Sequence, residues 1–190
     1  QMKVTAEVCP HHFTLTSDDI HKIEPSIDQE KKLAIDADAD TNFKMNPPLR
    51  SREDVQALKE GLRDNIMDVI STDHAPHTAE EKADFEKAPN GVVGLETSFA
   101  AALTGLYHTG KVSLNKIVEL MSVNPRKLPF ISIKDDETAD LVIADLNKEW
   151  IVEPGKLHSK SHNTVFKGMT LKGKPIMTIS KGEIRYENKL

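Results

Sequence analysis

A single cysteine, Cys9, stands among 190 residues. That excludes a disulfide framework and a cysteine-rich zinc site, and it suits a reducing, cytoplasmic setting. Long hydrophobic runs are also lacking, and none approaches the roughly 18 residues a membrane-spanning helix needs. Positive charge is not in excess: the formal net charge is −5 and the pI about 5.9. The chain therefore has no electrostatic footprint for nucleic acid or an anionic membrane, and neither is expected as a partner. With 38% apolar residues it can bury one sizeable core. The first residue is Gln1 rather than Met, and Met2 to Val8 already reads as a strand. A start part-way through a larger fold is the expectation.

What is present is concentrated in two short motifs. Ser71-Thr-Asp-His-Ala-Pro-His77 directly follows the apolar run Met67 to Ile70. A buried strand ending in an aspartate and then two histidines puts ionisable groups at its C-terminal tip, which is where (β/α)8 barrels house catalysis. Asn46-Pro-Pro-Leu-Arg50 follows another short run in the same manner.

The order of elements is that of an α/β protein. Alternation predicts a strand at Val4 to Val8, ended by Pro10. Residues 17 to 41 are acidic and read as a surface insertion, densest at Asp36 to Asp40. A brief strand is expected at Phe43 to Met45, then a helix capped by Ser51 with Asp54 completing a capping box, its inner face Val55, Leu58 and Leu62. Asp68 to Thr72 is the third strand, followed after a long loop by a helix from about Leu95 with Phe99, Ala102, Leu103 and Leu106 inward. Ser113 caps another helix whose buried stripe is Leu114, Ile117, Val118 and Met121. Strand and helix alternating at this spacing argue for βα units and a parallel sheet.

After Lys134 the pattern changes. Ala139 to Asp145 reads as a strand, and Pro175 to Ser180 with Glu183 to Tyr186 as a hairpin about Lys181-Gly182. The expected division is 1–133 for the barrel portion and 134–190 for a small β-rich domain. Three strands leave open edges and cannot close a barrel, so the remaining strands are expected upstream of Gln1.

Asn46-Pro-Pro-Leu-Arg50 and Thr72-Asp-His-Ala-Pro-His77, followed by Gly94-Leu-Glu-Thr97, resemble the bacterial and multifunctional class of dihydroorotases in the amidohydrolase superfamily. Thr5-Ala-Glu-Val-Cys-Pro-His-His12 and Ser161-His-Asn-Thr-Val-Phe166 match weaker motifs of the same family. The resemblance implies roughly the last three βα units of a (β/α)8 barrel plus the C-terminal part of the composite β-domain. It also implies reversible, zinc-dependent hydrolysis of dihydroorotate to N-carbamoyl aspartate in pyrimidine synthesis, with one or two zinc ions. Asp73 matches the aspartate that touches the metal, takes the proton from the attacking water and passes it to the departing ring nitrogen. His77 and Asn46 match residues that hold the substrate carboxylate and the ring amide. Asn90 and Gly91 match a loop that hydrogen-bonds the ring. A homodimer, or an assembly with aspartate transcarbamoylase, follows from the same likeness.

Departures from the family pattern are equally plain. The His-x-His pair, the bridging lysine or aspartate, two later histidine ligands and the substrate-clamping arginine all belong to positions before Gln1. Asn90 replaces a usual aromatic and Val165 a usual proline. This segment alone is expected to be inactive. Two other readings compete: a cyclic amidase acting on hydantoins, dihydropyrimidines or allantoin, towards which Cys9-Pro10 leans, and a non-catalytic subunit supporting aspartate transcarbamoylase.

Other polar residues have plainer readings. His74 is expected to orient Asp73 or to pack. His11 and His12, as neighbours on an extended chain, would point to opposite sides and so are not expected to be ligands. Arg50 is read as fixing its loop, Glu80 to Lys82 as a solvated face, and His162 and Asn163 as bonding local backbone. Trp150 and Phe166 read as anchors of the β-rich module.

Overall fold

The computed structural model describes residues 4–21, 40–125 and 137–188. Most of the acidic stretch, including Asp36, lies outside them. Among the described residues no helix is long and apolar enough to cross a membrane.

Two short strands, β1 (Glu7–Val8) and β2 (Val69–Ile70), pair in parallel with Glu7 opposite Val69 and Val8 opposite Ile70. Both are shorter than the alternation suggested, although ladder-like bonds continue past them: Asp68 and Val69 donate to Ala6 O, and Ser71 to Val8 O. Pro10 closes β1 and opens α1 (Pro10–Thr14), as a proline at the first helical position does.

The expected strand at Phe43 to Met45 is instead a 3₁₀ turn over Thr41–Phe43. The Asp40 carboxylate accepts from Asn42 N at 2.9 Å, and Phe43 N donates to Asp40 O. A side chain that bonds its own backbone two residues on offers a turn in place of an extended ladder.

Helix α2 (Arg52–Arg63) has the capping box its sequence announces, with Asp54 N donating to Ser51 Oγ and Ser51 N to Asp54 Oδ2, both at 3.2 Å. Val55 and Leu62 are buried, and Leu58 is half-buried beside them. Past Asp64, Asn65 takes a left-handed conformation (φ 63°) while Ile66 N reaches back to Gly61 O, which closes the helix in a Schellman turn. Ser51→Ala is expected to cost about 1 kcal/mol, read as a Tm fall of roughly 2–4 °C.

Helices α3 (Ser98–Ala102) and α4 (Leu114–Val118) each run on into a π turn, Leu103–Tyr107 and Glu119–Val123. His108 N bonds Leu103 O, and Asn124 N bonds Glu119 O. Ile117 and Leu120 are buried, but Val118 is exposed, contrary to its expected place in the stripe. Ile117 and Leu120, three residues apart, share the buried face, and Val118 lies about 100° further round the helix, beyond that face.

The second sheet is antiparallel, in the order β3 (Leu141–Ile151), β4 (Thr170–Ser180), β5 (Glu183–Glu187), with the β4–β5 hairpin turning at Lys181-Gly182 as expected. β3 starts later and runs further than predicted, broken by irregularities at 143/144 and between 145 and 149. At Gly173 (φ 97°) β4 passes so close to α3's continuation that a Cβ would overlap Leu103 Cδ1. Trp150 donates from Nε1 to Gly173 O at 3.0 Å, and Phe166 is buried, so both anchor this layer.

Two apolar clusters hold the elements together. One gathers Val8, Phe13, Leu62, Ile70, Leu103 and Leu106. The other gathers Leu15, Met45, Val92, Val152, Phe166 and Leu171. Together they fix the C-terminal ends of β1 and β2 beneath the loops described next.

Candidate functional site

Because β1 and β2 are parallel, the segments leaving them emerge side by side: Cys9 Sγ lies 3.6 Å from Ser71 Oγ. Asp73 follows two residues later, exposed, with its backbone at φ 46°. A non-glycine residue held in this region is uncommon, although Asp is among those that tolerate it. The conformation turns the chain sharply beyond the strand tip and leaves the carboxylate facing solvent.

The rest of the motif is tied to the loop at 90–94. Ala75 N donates to Val92 O at 2.9 Å, Gly94 N donates to His74 Nδ1 at 3.1 Å, and the His77 ring meets Asn90 O through Nε2 at 3.1 Å. His74 therefore fixes the neighbouring loop rather than orienting Asp73. Two glycines allow the approach: a Cβ on Gly91 (φ 102°) would lie 2.6 Å from Ala75 Cβ, and one on Gly94 2.6 Å from Thr72 O. Gly94→Ala must displace backbone and is expected to lose about 1–3 kcal/mol of stability, measurable by chemical denaturation.

Asn163 joins both loops. It is 8% exposed; its Oδ1 accepts from His77 N at 3.1 Å, and its Nδ2 donates to Ala75 O at 2.9 Å and Gly91 O at 3.3 Å. Its own carbonyl accepts from Val93 N. The expectation of local backbone bonding is thus corrected: the partners lie 70 or more residues away, a span no sequence-local rule reveals. A polar residue opening the buried run Thr164 to Phe166 was the one available signal.

The connecting stretch 78–89 is also anchored. Lys82, expected on a solvated face, is 7% exposed and donates from Nζ to Pro89 O at 2.8 Å. Burial, with the Lys44 charge second, lowers its pKa. Lys44 Nζ donates to Phe85 O and Glu86 O, and Lys44 O accepts from Gly91 N. Thr78 and Glu81 cap one another, with Glu81 Oε2 3.8 Å from His77 Nδ1. Glu96 accepts from His158 N at 2.8 Å and Ser159 N at 3.1 Å. Burial raises its pKa, but these backbone donors and the His158 ring outweigh that and hold the carboxyl below its ordinary value.

Asn46 is exposed at the start of its motif, joined to Pro47 by a cis peptide. The His12 ring meets Pro47 O through Nε2 at 2.8 Å, so α1 and the Asn46 loop are neighbours. Arg50 O accepts from Ser17 N, a backbone bond that ties the end of the Asn46 loop to the segment after α1. His77, Asn90 and Gly91 are thus brought into one hydrogen-bonded group, with Asp73 four residues from His77 and Lys44 linking the Asn46 segment to Gly91.

The histidine pair corrects another premise. His11 and His12 lie on α1 rather than on an extended chain, so they do not point oppositely: their rings meet edge-on, with centroids 4.2 Å apart. Cys9, His11 and His12 form a cluster whose potential ligand atoms all lie within 4.8 Å of one another. His11 is buried, and desolvation, followed by the neighbouring His12, lowers its pKa to about 3, so the ring is neutral.

The sequence profile of the amidohydrolase family matches residues 6–185. The chain belongs to that family. The dihydroorotase of Brevibacillus brevis is 45% identical over 191 residues, an alignment covering 98% of this chain and 41% of that protein. The dihydroorotase of a Thermoanaerobacter species is 44% identical over 189 residues, covering 98% and 40%. Among solved structures, the L-hydantoinase (dihydropyrimidinase) of Arthrobacter aurescens matches with a TM-score of 0.78 at 32% identity, covering 98% of this chain and 40% of the other. The dihydropyrimidinase of Brevibacillus agri matches with a TM-score of 0.79 at 26% identity and the same coverage. This amidohydrolase chain therefore has the α/β fold of its family and spans about two-fifths of the relatives it matches.

Proposed function

We propose that this amidohydrolase chain is the C-terminal part of a zinc-dependent dihydroorotase, acting on dihydroorotate and N-carbamoyl aspartate in the cytoplasm. The observation that carries the reading is the joint one of identity and site. Relatives about 45% identical across the chain are dihydroorotases, and the His77 ring is held on the Asn90 carbonyl beside Gly91.

In this reading residues 1–133 belong to a (β/α)8 barrel and 134–190 to the composite β-domain. The parallel β1–β2 pair, with Asp73 just past its C-terminal end, supports the barrel assignment. Asn46 binds the ring amide, His77 the substrate carboxylate, and the Asn90–Gly91 backbone the ring. Asp73 takes a proton from the attacking water at its carboxylate and delivers it to the departing ring nitrogen.

Asp73 fits a metal as one ligand, since an exposed carboxylate at a strand tip is a zinc donor, but a catalytic zinc takes three protein ligands. The others are assigned to the part of the relatives that this chain does not span. Zinc, when held there, would acidify water and polarise the amide carbonyl. Assembly as a homodimer, or with aspartate transcarbamoylase, belongs to the same proposal.

The hydantoinase-like reading has the structural matches on its side, but at lower identity, and their substrates lack the carboxylate that His77 would meet. The scaffold reading gives no reason for Asp73, His77 and Asn46 to stand where the family's motif residues do. The test is to strip the polypeptide carrying this chain of metal, reload it with zinc and assay dihydroorotate. Zinc-restored turnover is expected. A folded, zinc-loaded polypeptide that leaves dihydroorotate unchanged would refute the reading.

A further inference from the structure

At the end of β1 stands a second group of donor atoms, which the proposed reaction does not use. Cys9 and His11 are buried and His12 is half-buried, each offering one ligand atom within 4.8 Å of the other two. His11 is 2% exposed, and its Nε2 is enclosed without a hydrogen-bond partner among the described residues. A buried polar atom left unpaired is costly, and a cation accepting its lone pair would remove that cost.

His12 is prepared in a complementary way. Its Nε2 meets Pro47 O at 2.8 Å, and a carbonyl can only accept, so Nε2 carries a proton and the lone pair of the neutral ring falls on Nδ1. Histidines that bind metal commonly donate their second nitrogen to a carbonyl in this fashion. Cys9 is a free thiol whose neighbour Ser71 Oγ lies at 3.6 Å.

We propose that Cys9, His11 and His12 form a binding site for one borderline-soft divalent cation of the zinc class, distinct from the Asp73 centre. One sulfur and two imidazoles select zinc or its surrogate cobalt over magnesium and calcium, which take oxygen ligands. Zinc–nitrogen and zinc–sulfur bonds of about 2.0–2.3 Å place tetrahedral donor atoms roughly 3.3–3.7 Å apart. The donor atoms, now within 4.8 Å of one another, would draw together to that spacing on binding. Binding exchanges the Cys9 thiol proton for the cation. Because His12 also holds Pro47 O, occupancy ties the tip of β1 to the loop carrying Asn46. The site needs no residue assigned to the dihydroorotase reaction, so it stands or falls independently of that reading.

The experiment is a Co²⁺ titration of the metal-stripped polypeptide carrying this chain, followed by absorption. A thiolate-to-cobalt charge-transfer band with the intensity of one thiolate, displaced by Zn²⁺, is expected. Cys9→Ser should abolish the band, His12→Ala should weaken binding at least about tenfold, and Asp73→Asn should leave the band intact. X-ray absorption at the zinc edge of the unaltered chain checks the assignment without a variant, with one sulfur in the first coordination shell expected. No band at saturating cobalt, a band surviving Cys9→Ser, a band lost in Asp73→Asn, or a shell without sulfur would each overturn the proposal.

Discussion

Asp73→Asn in the polypeptide carrying this chain should lower kcat for dihydroorotate by about 10²–10⁴-fold, the usual worth of a positioned general acid–base, while leaving the fold intact. The structural half of that expectation is unusually clean. Asp73 is exposed, and its backbone sits at φ 46°, a region Asn tolerates at least as well as Asp. Substitution therefore neither empties a core nor strains a turn, and the melting curve should barely move. Loss of rate without loss of stability would separate chemistry from scaffolding. A variant keeping its rate within a few-fold would remove Asp73 from the reaction.

Asn163→Ala should do the opposite, damaging the fold first and activity through it. The side chain satisfies His77 N, Ala75 O and Gly91 O while buried. Removing it strands one buried backbone group, Gly91 O, and two part-buried ones, and at roughly 1–3 kcal/mol for a buried group left unsatisfied a total loss of about 3 kcal/mol is expected. That corresponds to a Tm fall of roughly 6–12 °C. The loops at 73–77 and 90–94 would also part, so KM should rise more than kcat falls. Asn163→Asp keeps an acceptor for His77 N but turns a carboxylate on two carbonyl oxygens, and it should be no better tolerated. A melt unchanged by either substitution would show that backbone pairs such as Ala75–Val92 hold the loops without help.

The sequence made some of this visible and concealed the rest for identifiable reasons. The capping box at Ser51 and Asp54, the hairpin at Lys181-Gly182 and the strand-to-motif junction at Ile70 are local patterns, and local patterns survive in one dimension. Phe43 to Met45 misled because a side-chain bond from Asp40, invisible to alternation, competes for the backbone. Val118 misled because the buried arc is narrower than the apolar pattern: Ile117 and Leu120 fill it and Val118 falls outside. His11 and His12 misled because Pro10 starts a helix where an extended chain was assumed. Lys82 and Asn163 were hidden more deeply, as their partners are carbonyls and amides on other loops, and a charged or amide residue by itself announces nothing about burial. The nearness of His77 to Asn90 and Gly91 was legible from the motifs; the asparagine that binds three of their loops' backbone groups together was not.

The most direct test of the account compares kcat/KM for dihydroorotate with that for dihydrouracil, the same ring without its carboxylate, in the zinc-loaded parent polypeptide and in its His77→Ala variant. A site built to meet that carboxylate should favour dihydroorotate by at least about 10²-fold, and His77→Ala should erode most of the preference while dihydrouracil turnover stays low. Equal or better hydrolysis of dihydrouracil, with a ratio indifferent to His77, would contradict the dihydroorotase assignment and give the site to an uncharged cyclic amide.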